Sequence, residues 1–184
     1  MVLADRTQSP SGAGYALENR TVMSRVLPSL FRDSHVHRLA GYFRQFRSKM
    51  QSLCPHRSSP RIAVLTPGPR NETYFEHAYL ANYLGFYLVQ SDDLVVRGGF
   101  LWMKSLDGLS RVDVLMRRVD DWFCDPVELR GDSRLGVPGL LQVVRAGNLV
   151  VANSLGSGIL ESPALLKYLP DIGRALLGRE PRLN

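Results

Sequence analysis

Residues 61–85, RIAVLTPGPRNETYFEHAYLANYLG, decide the fold. Their apolar, β-branched run at 62–65 is typical of a buried parallel strand, and it breaks at TPGP, residues 66–69. The chain then resumes as a predicted helix, with Asn71 as N-cap, Glu72 in the first turn and Gly85 at the end. A second apolar run, 86–89, follows at once. The pattern predicts a β-α-β unit whose ligand sites lie at the carboxyl ends of the strands, here in residues 66–72.

The rest of the chain adds strands and helices of the same α/β class. Gly98-Gly99 is a two-residue hairpin signal between apolar runs, and two further buried strands are predicted at 112–118 and 149–152. Predicted helices cover residues 15–27, 33–53, 137–146, 162–169 and 171–177. We therefore predict a Rossmann-like parallel sheet at 61–184 with a β-hairpin decoration. Residues 1–60 are predicted to form a separate N-terminal helical connecting segment.

Composition excludes several classes of protein. The 184 residues are 45% hydrophobic and 22% charged, as in ordinary globular domains. The net charge of +6 arises wholly in residues 1–60, which hold nine Lys or Arg against three Asp or Glu. This segment has no basic cluster or nucleic-acid motif, so we expect a solvated face or an interface rather than nucleic-acid binding. Cys54 and Cys124 lie far apart outside any CxxC, and no stretch is apolar enough for a membrane span or signal peptide. A cytoplasmic location without membrane contact is predicted.

Three polar loops follow three of the predicted parallel strands: 66–72, 119–125 and 153–158. Strands that run parallel end at one edge of the sheet, so these loops are predicted to converge on one crevice. The Gly-rich loop NSLGSG, which holds Asn153 and Ser157, could bind phosphate through backbone amides or could simply be a turn. It has neither of the two common glycine patterns of nucleotide-binding loops.

Two side-chain clusters are candidate sites, and each has a structural alternative. Glu72, Glu76 and His77 lie on the first predicted helix of the sheet, where they form an acid/base or metal cluster or merely cap and solvate the helix. The second cluster either holds an anionic substrate or forms an internal ion-pair network. Its members are Arg117, Arg118, Asp120, Asp121 and Asp125. The histidines at 35, 37 and 56 are predicted to be plain surface residues.

Long stretches of the sequence resemble the circularly permuted ATP-grasp family, type 2 in particular. They are VLADRTQSPSGAGYALENR (2–20), LTPGPRNETYFEHAYLANYLG (65–85), VDVLMRRVDDWFCDPVELRGDSRLGVPGLL (112–141) and ANSLGSGILESPAL (152–165). Residues 112–169 are also similar to the pre-ATP-grasp domain of bacterial glutathione synthetases. The resemblance implies an ATP- and magnesium-dependent ligase, distantly similar to glutathionylspermidine synthase, that activates a carboxylate as an acyl phosphate and joins it to an amine.

The sequence departs from the family pattern at the expected metal site. Where relatives have Glu-Asp-Asn after the first strand, this chain has Ala4, Asp5 and Arg6. Only Asp5 is then left as a magnesium ligand, and the loss of two oxygen ligands should weaken the site. The nucleotide-binding lysine and glycine-rich loop of the family are expected beyond Asn184, so we expect this chain to be a fragment that binds no cofactor alone.

The resemblance assigns expected roles to residues of this chain. The predicted substrate-binding residues are Asn71, Glu72, His77, Arg117, Arg118, Asp120, Asn153 and Ser157. Ser11 and Gly12 are predicted to border the nucleotide, and Asp5 to bind the metal. Expected partners are carboxylate and amine substrates, small molecules or peptides, and the remainder of the ATP-grasp domain. Self-association of the fragment through an uncovered apolar surface is a further possibility. The alternative function is a non-catalytic binding or scaffolding module of a degenerate ATP-grasp protein.

Overall fold

The computed structural model describes residues 6–179 and has the predicted α/β architecture. The helices are α1 (Ala13–Val26), α2 (Pro28–Asp33), α3 (Ala40–Ser52), α4 (Tyr74–Leu84), α5 (Leu140–Arg145), α6 (Pro163–Leu166) and α7 (Leu169–Leu177). The strands are β1 (Ile62–Leu65), β2 (Tyr87–Val89), β3 (Leu94–Arg97), β4 (Phe100–Ser105), β5 (Gly108–Arg111), β6 (Val114–Arg117) and β7 (Val150–Ala152). Three short 3-10 helices lie at Ser91–Asp93, Asp121–Phe123 and Ser157–Glu161.

The central sheet is parallel and has the strand order β2-β1-β6-β7. Every residue of β1 and β6 is buried, which explains their unbroken apolar and β-branched sequences. A separate antiparallel sheet, β3-β4-β5, contains the predicted hairpin, in which Arg97 pairs with Phe100 across Gly98-Gly99. The prediction missed β5, which pairs with β4 through a second tight turn.

Alternating residues of the central strands face two different apolar layers. On one face, Ala63, Leu65 and Leu115 pack with Leu140 and Val143 of α5. The opposite face packs against α3 and α4 through the buried side chains of Met50, Cys54, Ile62, Val64, Ala81, Val114 and Met116. Because α3 comes from the N-terminal segment, that segment completes the core of the sheet. The division of the chain at residue 60 stays a prediction.

Several helix ends differ from the sequence predictions. Pro28 follows the end of α1 as predicted, but it also begins α2, because proline is tolerated in the first helical turn. Residues 34–39 are not helical, and His35 lies at φ 50°, so the helix predicted over 33–53 starts later, at Ala40. Thr73 rather than Asn71 precedes α4, while Gly85 ends it at φ 70°, as predicted. The helix predicted from residue 137 is the shorter α5, whose N-cap is Gly139.

Candidate functional site

The carboxyl ends of β1, β6 and β7 meet at one edge of the central sheet, as predicted. β6 pairs in parallel register with both neighbours, so that Leu65 lies beside Arg117 and Met116 beside Ala152. The loops that start at Thr66, Arg118 and Asn153 therefore emerge side by side. This edge is where ligands bind in open α/β sheets.

Residues 7–12, here called the N-terminal strap, cross this edge. The Thr7 hydroxyl donates to the Ser157 carbonyl at 2.7 Å, and the Asn153 side-chain amide donates to the Thr7 carbonyl at 2.7 Å. The backbone N–H groups of Thr7 and Gln8 both donate to Glu161 Oε1, at 2.7 and 2.8 Å. These two bonds hold the pKa of Glu161 below its usual value. The strap thus joins the start of the described chain to the loop after β7.

All three nitrogen atoms of the Arg117 guanidinium have partners within the site. Its side chain is fully buried, and its Nη2 lies 2.6 Å from Asp121 Oδ1. It donates to backbone carbonyls and side-chain oxygens on both sides of the edge. The acceptors are Asn153 O at 2.8 Å, Gln8 O at 3.1 Å, Gln8 Oε1 at 2.9 Å, Val119 O at 2.9 Å, Ser154 O at 3.1 Å and Ser157 Oγ at 2.9 Å. These bonds make Arg117 the internal link between the strap and two of the loops.

The carboxylates after β6 have three different environments. Asp121 Oδ2 accepts hydrogen bonds from Gln8 Nε2 and from the backbone N–H groups of Gly156 and Gly158, at 3.0, 3.0 and 3.4 Å. Asp125 is fully buried and accepts from three backbone N–H groups, that of Val127 and those of Gly139 and Leu141 at the start of α5. Asp120 is exposed. The ion pairing anticipated as an alternative is therefore seen for Asp121, which pairs with Arg117, whereas Asp125 is bound by backbone N–H groups instead.

Glu76 and Arg118 form a second buried pair of charged groups under the strap. The Glu76 carboxylate is 1% exposed and accepts from Gly12 N at 2.7 and 2.9 Å and from Gly14 N at 2.8 Å, at the start of α1. Arg118 Nη1 donates to the Pro10 carbonyl. Burial lowers the pKa of Arg118, while the Glu76 carboxylate opposes that effect. Glu76 therefore anchors α1, and its charge also stabilises a buried guanidinium.

Arg118 retains hydrogen-bonding capacity that Arg117 lacks. Its side chain is nine-tenths buried, yet its Nε has no hydrogen-bond partner among residues 6–179. Within the same part of the chain, Pro10 supplies the only hydrogen bond that the guanidinium makes. A buried donor without a partner is costly, by about 1–3 kcal/mol. Arg118 is consequently the cation at this edge that is best suited to bind an added anion.

A cavity of about 310 Å³ lies beside Arg118, between α3 and the carboxyl edge of the sheet. Its walls are mainly apolar side chains from α1, α3, α4, β6 and the end of β7. They are Ala13, Tyr42, Phe43, Phe46, Met50, Leu80, Met116 and Ala152; Pro10 of the strap also lines the cavity, and the polar contributors are Ser11, Arg117, Arg118 and Asn153. The cavity is at the lower end of the size range of small-molecule pockets, about 300–1,000 Å³.

His77 belongs to a linear hydrogen-bonded chain behind this edge. Thr73 Oγ1 donates to Asn71 Oδ1 at 2.6 Å, which leaves it to accept from His77 Nε2 at 3.0 Å. His77 Nδ1 then accepts from the hydroxyl of Thr66 at 2.9 Å. Burial lowers the pKa of His77 to about 4, and the nearby charge of Arg118 acts in the same direction against Glu76. His77 is therefore neutral at pH 7 and orders the turn after β1.

The pKa of His77 predicts a loss of stability in weak acid. The unfolded chain binds a proton at this residue near pH 6.5, whereas the folded chain does so only near pH 4. The contribution of neutral His77 to the free energy of unfolding is therefore complete above pH 6.5. It decreases as the pH falls toward 4, by about 2 kcal/mol at pH 4.5. Urea unfolding at pH 7.5 and 4.5 measures this loss.

The variant His77→Gln should show a clearly smaller loss over the same pH range. His37→Gln changes an exposed histidine and serves as the matched control, which should keep the wild-type loss. Equal losses in the wild type and in His77→Gln would contradict the assignment of this titration to His77.

The structure brings some predicted site residues together and leaves others apart. Arg117, Asn153 and Ser157 meet around the strap, and Asn71 and His77 are joined through Thr73. Glu72 and Asp120 are exposed outside these networks. Ser11 lines the cavity, whereas the Gly12 N–H is bound to Glu76. Asp5 lies outside the described residues. The substrate and nucleotide roles of all these residues stay predictions.

Sequence reasoning missed two participants, Gln8 and Glu161, which the strap brings to the site. Glu161 is bound through the backbone N–H groups of Thr7 and Gln8, which no sequence motif marks. Gln8 bonds Arg117 and Asp121 through its side chain, but it lies in a stretch that reads as a flexible turn.

The described part of the chain offers no set of metal ligands. Among residues 6–179, no three His, Cys, Asp or Glu side chains gather closely enough to bind a metal ion. Helices in this range also lack the combination of length and hydropathy that crossing a membrane requires.

The sequence was compared with models of known protein families and with curated proteins. A family model described as circularly permuted ATP-grasp type 2 matches residues 1–184. An uncharacterized protein of Mycobacterium tuberculosis is 47% identical over 184 residues, which are 100% of this chain and 21% of that protein. Uncharacterized proteins of Synechocystis and Mycobacterium leprae are 43% and 39% identical over 183 residues, 99% of this chain and 38% and 33% of theirs. The chain thus spans between a fifth and two fifths of these relatives.

Proposed function

Because this chain belongs to the circularly permuted ATP-grasp type 2 family, we propose that it supplies the carboxylate-binding surface of an ATP-dependent carboxylate-amine ligase. The observation that supports this role is the state of Arg118. It is a buried guanidinium that lines a cavity and makes one hydrogen bond within the described residues. A guanidinium binds a carboxylate through paired N–H donors, with both geometric fit and charge.

Arg118 is better suited to this role than its neighbour. Arg117 is paired with Asp121 at 2.6 Å and donates to six other oxygen atoms of the strap and loops. An added anion would have to displace some of these acceptors. Glu76 is the carboxylate whose charge acts on Arg118, and its oxygens already accept from the N–H groups of Gly12 and Gly14. We therefore assign substrate binding to Arg118 and scaffolding of the edge to Arg117.

In the proposed reaction, the γ-phosphoryl group of ATP is transferred to the substrate carboxylate, which yields an acyl phosphate and ADP. The amine nitrogen then attacks the acyl carbon, and inorganic phosphate leaves. Arg118 would hold and orient the carboxylate, and the strap would shield it from water on one side. This positioning removes the entropy cost of bringing the reacting groups together. No side chain of this edge needs to act as a nucleophile.

The magnesium ion implied by the family does not have a donor set among residues 6–179. Asp5 is the carboxylate predicted for it, and Arg6 adds an opposing charge next to that position. The same departure, Ala4 and Arg6 in place of oxygen ligands, favours the second candidate function, a non-catalytic binding or scaffolding module.

A trapping assay on the longer proteins that contain this segment distinguishes the two candidates. Hydroxylamine as the amine converts acyl phosphates to hydroxamates, so the natural amine need not be known. We expect hydroxamate formation that requires ATP and a monocarboxylate, with the carboxylate KM about 10- to 100-fold higher in Arg118→Lys, because lysine lacks the bidentate fork. Arg25→Lys, on an exposed part of α1, is the matched control and should leave KM unchanged. A protein that neither binds ATP nor forms hydroxamate would be the scaffold.

A further inference from the structure

We infer that the cavity beside Arg118 binds a monocarboxylate with an apolar tail, with the carboxylate on Arg118 and the tail against α3. This inference rests on the proposed function, since it names the class of carboxylate that the same site takes. It requires that the cavity contain one available cation, an apolar remainder and sufficient volume for an organic tail.

Arg118 is the available cation. Asp121 compensates the charge of Arg117, whose nitrogens are occupied by the strap and loops. The side-chain amide of Asn153, the other large polar group of the lining, donates to the Thr7 carbonyl. Arg118 has Pro10 as its sole hydrogen-bond acceptor among residues 6–179, and its Nε is enclosed without a partner. One anionic group can therefore be bound, and a second would find no cation of its own.

The remainder of the cavity favours an apolar tail. Phe46, Met50, Leu80 and Met116 contribute carbon and thioether surfaces to its walls, and Phe43 is 3% exposed. Tyr42 stacks on Phe46 with a ring-centroid distance of 6.3 Å, which extends the aromatic wall. A polar group buried against such walls without a hydrogen bond costs about 1–3 kcal/mol. Dicarboxylates and ligands with polar tails should therefore bind weakly.

The dimensions of the cavity are consistent with a ligand of modest size. A volume of about 310 Å³ accommodates a short aliphatic or aromatic acid, but it is small for a nucleotide. Ser11 of the strap lies in the lining and is exposed, so it marks a route into the cavity. Tyr42, which is 54% exposed, also lies in the lining, on the α3 side.

Calorimetric titration of the 184-residue chain with 4-phenylbutyrate tests the inference without ATP or an amine. Two probes serve as matched controls. 4-Phenylbutan-1-ol keeps the apolar tail but lacks the carboxylate, whereas glutarate keeps one carboxylate and has a second carboxylate in place of the apolar tail. We expect 4-phenylbutyrate to bind at least about tenfold more tightly than either control, with a negative heat-capacity change from apolar burial. Undetectable binding of 4-phenylbutyrate, or equal affinity for glutarate, would overturn the inference.

Two variants locate the binding. Arg118→Met should weaken 4-phenylbutyrate about tenfold or more through loss of the guanidinium. Ser11→Trp should block the cavity while it changes an exposed side chain, so it tests the site even if Arg118→Met folds poorly. Arg25→Met is the matched arginine control and should bind like the wild type. Wild-type affinity in both Ser11→Trp and a folded Arg118→Met would place the probe elsewhere and reject the site.

The hydroxamate assay separates failure of this inference from failure of the proposed function. If the chain binds 4-phenylbutyrate at this cavity but the longer protein forms no hydroxamate with ATP, the ligase proposal fails and the cavity assignment stands. If the longer protein forms hydroxamates with dicarboxylates and not with apolar monocarboxylates, the ligase proposal stands and this inference fails.

Discussion

Replacement of Arg117 by methionine is expected to lower the free energy of unfolding by about 3–5 kcal/mol. The change leaves the carboxylate of Asp121 without the guanidinium that lies 2.6 Å away. It also removes the donor from carbonyl groups of Gln8, Val119 and Asn153, among others. Urea unfolding followed by circular dichroism measures the loss.

Two further variants sharpen this test. Arg117→Lys keeps the charge but loses the planar fork, so it should recover part of the lost stability and remain below the wild type. Arg25→Met removes an exposed arginine and should change stability by less than about 0.5 kcal/mol. Near-wild-type stability of Arg117→Met would mean that Arg117 does not hold the edge together, and it would reopen Arg117 as a ligand-binding residue.

Replacement of Glu76 by alanine is expected to cost about 3 kcal/mol or more. The substitution removes the acceptor for the N–H groups of Gly12 and Gly14 and takes away the carboxylate that offsets the buried charge of Arg118. The first turn of α1 should loosen. Thermal unfolding reports the global loss, and hydrogen exchange at the Gly12 and Gly14 amides reports the local one.

Glu72 offers a matched carboxylate four residues earlier. It is exposed, and Glu72→Ala should leave both the unfolding temperature and the exchange of the Gly12 and Gly14 amides close to the wild-type values. If Glu76→Ala preserved slow exchange at those two amides, the proposed anchoring of α1 by Glu76 would be incorrect.

The sequence predicted the central sheet because its strands carry strong local signals. The apolar run of β1 and the glycines at 85 and 98–99 each specify local geometry, and all three behave as expected. The strand β5 was missed although Leu106-Asp107-Gly108 resembles a turn, because its exposed and half-buried residues lack the strong apolar pattern of the buried strands. The α3 start was misplaced because no sequence signal marks the break at residues 34–39, where His35 adopts φ 50°.

The sequence also indicated where the site lies, but not which of its two arginines is occupied by internal hydrogen bonds. Arg117 and Arg118 are the same residue type at adjacent positions, so residue identity alone could not separate the occupied guanidinium from the available one. Their difference depends on side-chain direction at the end of β6 and on the strap, which arrives from more than 100 residues away. Such distant backbone acceptors leave no pattern near either arginine.

The strap also has a consequence for the order in which the chain can fold during synthesis. Thr7 bonds to Ser157, 150 residues later, and Gln8 bonds to Arg117, 109 residues later. At a ribosomal rate of about 5–20 residues per second, Thr7 waits about 8–30 seconds for its acceptor to be made. Contacts of such high sequence separation also form late because closing the intervening loop costs entropy. Strap docking is therefore expected among the last steps of folding, after the parallel strands have paired.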